Sequence, residues 1–133
     1  MNTKELMIGD WVKLTDPINK GEEVKVRTIY DNGYVAIDGA LTRSIEPIPI
    51  TEDILDKNFK DIAEPHQRIY GGRWVYYDEY IEIEITEYNE GIWQVDVDEV
   101  EMSGLPSWKM YVSNVHQLQH ALRLCNFDKN IEI

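Results

Sequence analysis

A chain of 133 residues with 43% hydrophobic content is long and apolar enough to bury a core, which sets it apart from disordered polymers. Its 25 acidic and 13 basic side chains give a net charge of −12, a balance that repels phosphate backbones and anionic lipid and so disfavours direct nucleic-acid or membrane binding. A single cysteine rules out an internal disulfide framework, and no run of 18 apolar residues occurs, so the expectation is a cytoplasmic protein without a signal peptide or span.

The charge is uneven along the chain. Residues 1–50 carry six basic and eight acidic side chains, whereas residues 51–133 carry seven and 17. The first 50 residues read as β-structure: "DWVKL" (10–14), "EVKVRTIY" (23–30), "GYVAID" (33–38) and "LTRSIEPI" (41–48) are rich in β-branched and aromatic residues. Between them lie "TDPINKGE" and "DNG", the latter a hairpin signal because Asn-Gly tolerates positive φ. Short strands opened by "IGDWV" are similar to the start of SH3-like small barrels, a fold likeness that implies no particular function.

"EPIPITEDILDKNF" changes the pattern. Pro47 and Pro49 hold the chain extended, Thr51 is placed to cap a helix, and Glu52 and Asp53 suit its positive end, which predicts a short helix at 52–58 between two halves. Beyond it, "RIYGGRWVYY" reads as a hairpin around Gly71-Gly72. "EYIEIEITEY" (79–88) and "GIWQVDVDEV" (91–100) alternate strictly, and "SWKMYVS" (107–113) follows the turn "SGLP". Ile81, Ile83, Ile85, Trp93, Val95 and Val97 face inward on this reading. Glu82, Glu84, Thr86, Gln94, Asp96 and Asp98 face water, as in an antiparallel sheet covered on one side. A three-residue loop at Asn89–Gly91 places Glu84 opposite Asp96 and Glu82 opposite Asp98. Like charges in that position repel, so exchanging Glu84 for Lys is expected to stabilise the fold.

"NVHQLQHALRLC" (114–125) holds two histidines four residues apart and the one cysteine. At 100° per residue Val115, Leu118, Ala121, Leu122 and Cys125 share one stripe of a helix, and His116, His120 and Arg123 share the other. The histidines therefore face away from Cys125, which excludes a Cys/His catalytic pair on this helix. A zinc site lacks the Glu of H-E-x-x-H, and Arg123 adds a positive charge to that side, so the histidines read as a solvated surface.

The segment "YVSNVHQLQHALRLCNFDKNIEI" resembles the C-terminal signature "YVHQLQHALRLCG…EI" of a family of uncharacterised bacterial proteins found in gut commensals and their mobile elements. Glu5–Val12 and Ile45–Leu55 are similar to two further islands of that family, "ELRIGN/DWV" and "I-x-PIPLTEEIL". The chain departs from the signature in Ser113-Asn114 before Val115 and in Asn126, where Gly is usual. The resemblance brings no catalytic residues. It implies that the "HQLQ" face is a recurrent surface for a partner.

The expectation is an α+β protein: an SH3-like N-terminal lobe over 1–50, a short linking helix, then over 51–133 an antiparallel meander sheet with one packed C-terminal helix. No catalytic or metal-binding residue is assigned, and no cofactor is implied. The candidate interaction surface is Glu82, Glu84, Asp96, Asp98, His116 and His120, facing a protein partner of basic character. Two alternatives stand beside this non-enzymatic reading. One is a DNA-mimicking inhibitor of a nucleic-acid-binding protein, and the other a small hydrolase with a site at the junction of the two lobes near His66.

Overall fold

The computed structural model describes residues 1–63, 71–77, 81–99, 107–125 and 130–133, and it is an α+β arrangement of small antiparallel sheets with two α-helices. The chain divides into two compact units, Met1–Pro49 with Asn114–His116, and Ile50–Ser113 with Gln117–Ile133.

The first unit holds strands β1 (Trp11–Leu14), β2 (Glu23–Lys25), β3 (Thr28–Ile29), β4 (Val35–Ile37), β5 (Ala40–Thr42) and β6 (Ile45–Glu46). They form two open three-stranded sheets, ordered β2-β1-β6 and β3-β4-β5, and among the described residues no strand pair closes them into a barrel. The stretch read from sequence as one strand over 23–30 is split by a change of partner. Val26 N–H donates to Asp10 O at 2.9 Å, whereas its neighbour Arg27 donates to Ala36 O at 2.8 Å. Adjacent residues thus bond to different sheets, and the chain passes from one to the other. The stretch 41–48 is split likewise into β5 and β6, with Ser44 N–H donating to Thr42 Oγ1 at the corner (3.0 Å).

The "IGDWV" motif is a turn-forming device. Asp10 is fully buried; its carboxylate accepts the Met7 N–H at 2.8 Å, and Gly9 takes φ 91°, a left-handed conformation that glycine alone adopts without strain. Leu6, Val12, Leu14, Val26, Val35 and Ile45 form this unit's core, so the inward residues of both sheets meet in one cluster.

The second unit begins with α1 (Glu52–Asn58). Thr51 caps it as the sequence predicts, its Oγ1 accepting the Ile54 N–H at 3.3 Å, and Ile54 and Leu55 are buried. Strands β7 (Lys60–Asp61), β8 (Arg73–Tyr77), β9 (Ile81–Asn89), β10 (Ile92–Glu99) and β11 (Trp108–Val112) follow in a sheet ordered β11-β10-β9-β8-β7, antiparallel throughout. This is the meander that the alternation predicts. On its inner side Trp74, Ile81, Ile83, Ile85, Trp93, Val95, Val97 and Val112 are buried, each such side chain contributing roughly 1.5–3 kcal/mol of transfer free energy. "RIY" of the expected hairpin and the turn "SGLP" lie outside the described residues.

Two contacts lock this unit beyond the alternation. Trp74 stands edge-on to Trp93, centroids 5.8 Å apart at 72°, while its Nε1 donates to Asp56 Oδ1 at 2.8 Å. The ring also lies directly over Gly72, where a Cβ would overlap its Cη2, Cζ2 and Cζ3 atoms. Asn58 is buried and acts as a stand-in peptide group. Its Nδ2 donates to Ile54 O and to Glu132 O, both at 2.7 Å, and its Oδ1 accepts the Glu132 N–H at 2.8 Å. The C-terminal residues are thereby tied to the end of α1, with Ile131 buried beside the clasp.

Helix α2 (Val115–Leu124) buries Val115, Leu118, Ala121 and Leu122, with Cys125 just past its end. These are the five positions that the helical period assigns to the apolar stripe.

Candidate interaction surface

The outer face of the five-stranded sheet carries the acidic residues expected there, in the expected register. Glu84 is opposite Asp96, Glu82 opposite Asp98, and Thr86 opposite Gln94. The turn that sets this register differs in detail. Asn89 pairs with Ile92, leaving a two-residue loop of Glu90 and Gly91, and a bulge between Ile92 and Trp93 then shifts the pairing to Trp93 opposite Glu87. Gly91 takes φ 73°, the left-handed conformation that the loop requires.

The flanking strands place cations among these carboxylates. Arg73, diagonal to Glu84 on β8, forms a two-pronged pair with it: Nε to Oε1 and Nη2 to Oε2, each 2.8 Å. The hydrogen bond and the charge of Glu84 raise the guanidinium pKa further above its ordinary value. On the other side Lys109 of β11 is directly opposite Asp96, its Nζ 3.8 Å from Oδ1, and Gln94 Nε2 donates to Asp96 Oδ2. The Glu84–Asp96 row is therefore compensated at both ends. The expectation that Glu84→Lys relieves a naked repulsion is corrected: the exchange removes the best ion pair on the face. Glu82 and Asp98 form no ion pair among the described residues, and Glu82 feels the Arg73 guanidinium only as a more distant charge.

Aromatic side chains border the charged rows. Tyr88 and Tyr111 lie 4.8 Å apart and are 63% and 50% exposed, and Tyr77, at the β8 end beside Glu82, is 58% exposed. Rings with apolar faces and polar tips, left in water beside ionised groups, supply adaptable contact area at low conformational cost. Aromatic-rich strands are an expected contact surface from the sequence; that these three tyrosines border the acidic rows depends on the pairing of β8, β9, β10 and β11.

The histidines separate from this surface. His116 is 3% exposed and Gln119 8%, whereas His120 is half-buried. The expected solvated surface formed by His116, His120 and Arg123 is corrected for His116. A helical wheel assigns one buried stripe, but the first turn of α2 is covered beyond that stripe: Val115 N–H donates to Ile48 O at 2.8 Å and Asn114 is bridged to Pro49. The "HQLQ" face is consequently not presented whole. Cys125 is 5% exposed with its thiol directed at the Leu122 carbonyl (3.2 Å), which suits a small buried hydrophobe.

Among the described residues no group of three or more His, Cys, Asp or Glu side chains stands together as a metal site, and no helix is long and apolar enough to cross a membrane. His66, the centre of the hydrolase alternative, lies outside the described residues. No known protein family, curated protein or solved structure matches the chain.

Proposed function

We propose that this chain is a non-enzymatic protein-interaction module whose working surface is the outer face of the five-stranded sheet, docking a partner of basic character. One observation carries the reading. Glu82 and Asp98 stand opposite each other on an accessible face, beside exposed Tyr77, with no cation paired to either among the described residues. Like charges across a strand pair destabilise by roughly 0.2–1 kcal/mol, and a partner's Lys or Arg placed between them removes that repulsion while the ring offers a cation–π contact. A DNA-mimicking surface is the weaker reading, because Arg73 and Lys109 interrupt the carboxylate rows that would have to stand in for an unbroken run of phosphates.

The proposal extends to the first unit. A chain segment passing from sheet β2-β1-β6 to sheet β3-β4-β5 at Val26-Arg27 supports an SH3-like lobe, which leaves function open. It takes in the resemblance to a mobile-element-associated bacterial family and a cytoplasmic location.

Affinity capture from a bacterial lysate tests it, with wild type, a face-reversed Glu82→Lys/Asp98→Lys bait and a control Glu52→Lys/Asp53→Lys bait of the same net charge. A specific partner lost with the first variant and kept with the second is the expected result. Equal capture by both variants sinks the reading.

A further inference from the structure

We propose that β2 is a self-pairing edge: two copies of this chain join antiparallel along Glu23–Lys25, making a continuous six-stranded sheet ordered β6-β1-β2-β2-β1-β6. The surface belongs to the first unit and is independent of the acidic sheet face.

β2 is the outer strand of its sheet, and among the described residues no strand pairs with its outer edge. Glu22, Glu23, Val24 and Lys25 are among the residues that line a cleft of about 610 Å³, together with Ile37 and Asp38. The direction of the backbone groups follows from two bonds. Leu14 N–H donates to Glu22 O at 2.8 Å and Val26 N–H donates to Asp10 O at 2.9 Å. In an antiparallel ladder the groups alternate, so Glu22, Val24 and Val26 turn toward β1 while Glu23 and Lys25 turn their N–H and C=O outward.

Those outward residues are self-complementary. Laid antiparallel on a second copy, Glu-Val-Lys puts Glu23 opposite Lys25 of the other chain, Val24 opposite Val24, and Lys25 opposite Glu23. The two Glu–Lys pairs fall at the positions whose backbone groups point outward, so ion pairs and ladder hydrogen bonds coincide at the same residues. An interface in which each contact is made twice is what a two-fold dimer requires. Sliding the register by two residues either way sets Glu23 against Glu23 or Lys25 against Lys25, which selects the one register.

The neighbouring strands prepare the charges. Lys13 of β1 pairs with Glu46 of β6 at 3.7 Å and stands opposite Glu23 of β2, and among the described residues Glu23 has no cation on its open side. Lys25 is held over the Trp11 ring at 5.0 Å, directly across from it in β1. Pairing two edges extends the row to Glu46, Lys13, Glu23, then Lys25 and Trp11 of the second copy, alternating in sign along its charged part. Long-range repulsion is also least here, since residues 1–50 carry six basic and eight acidic side chains of a chain whose net charge is −12.

Sedimentation equilibrium of the full chain, from micromolar to millimolar, reads the association. Wild type is expected to show a reversible monomer–dimer equilibrium. Lys25→Glu and Glu23→Lys should each weaken it roughly tenfold, because both cross-strand pairs become repulsive. Mixing these two variants should restore a dimer, since each Glu-Val-Glu edge then meets a Lys-Val-Lys edge. The double exchange Glu23→Lys/Lys25→Glu should dimerise as wild type does, which guards against a single variant that misfolds. A wild type that stays monomeric throughout, a dimer that both single variants leave unchanged, or a mixture and a double variant that fail to associate would each overturn the proposal.

Discussion

The two faces of the five-stranded sheet share the same strands and backbone ladder, and they differ in what a side chain meets. Inward, Ile83, Ile85 and Val95 have no exposed surface, and Trp74 is fixed by Trp93, Asp56 and Gly72 together. Outward, Glu82, Glu84, Asp96 and Asp98 meet water, each other, Arg73 and Lys109. The inner face is determined by volume, where a missing methylene is felt at once. The outer face is determined by weak, screened pairs, so its residues can be arranged for a partner at little expense in stability. Stability and recognition are thus separated by a single pleat.

The contrast is sharpest if the inner face is damaged first. Ile85→Ala removes a fully buried side chain between β8 and β10 and is expected to destabilise by about 2–5 kcal/mol in urea titration; a loss below 1 kcal/mol would mean that this face is loosely packed. Gly72→Ala tests the Trp74 lock by addition. The new methyl group overlaps a ring held on its other sides, so about 1–3 kcal/mol should be lost, together with a change in near-ultraviolet dichroism from the tryptophans. No change in either would show that the ring moves freely. Asn58→Ala breaks three hydrogen bonds and leaves the Glu132 backbone unpaired, a loss of about 1–3 kcal/mol with faster amide exchange at Glu132. Unaltered exchange there would show that the clasp is incidental.

The outer face should respond by tenths. Glu82→Lys turns its contact with Asp98 from repulsive to attractive and is expected to stabilise by about 0.2–1 kcal/mol. Glu84→Lys is expected to destabilise by roughly 0.5 kcal/mol, because it replaces the paired carboxylate beside Arg73 with a like charge. Added salt should shrink both differences. Equal effects from the two substitutions would erase the distinction between a paired and an unpaired carboxylate.

Much of this was legible in the chain itself. Period-two alternation in "IEIEIT" and "IWQVDVD" assigns both faces, and it gives the Glu84–Asp96 and Glu82–Asp98 register although the turn reaches it through a two-residue loop and a bulge. Thr51 with Glu52 and Asp53 marks the start of α1. What stayed hidden depends on contacts distant in sequence. Arg73 reaches Glu84 only because β8 pairs with β9, Asn58 meets Glu132 across 74 positions, and His116 is covered at the first turn of α2, where a helical wheel sees one stripe. The division of the 23–30 stretch between two sheets depends on the partners of Val26 and Arg27, Asp10 and Ala36, which no local pattern names.

The claim that the outer face serves recognition and the inner face stability is tested most directly by one protein, Glu82→Lys/Asp98→Lys, measured in two ways. Its urea midpoint and its capture of the wild-type partner are compared with those of the unaltered chain. The account predicts a midpoint within a few tenths of a kcal/mol of wild type, since one like-charge pair replaces another on a face that the core does not depend on, and a lost partner. A protein destabilised by more than about 1 kcal/mol that still holds the same partner would contradict it.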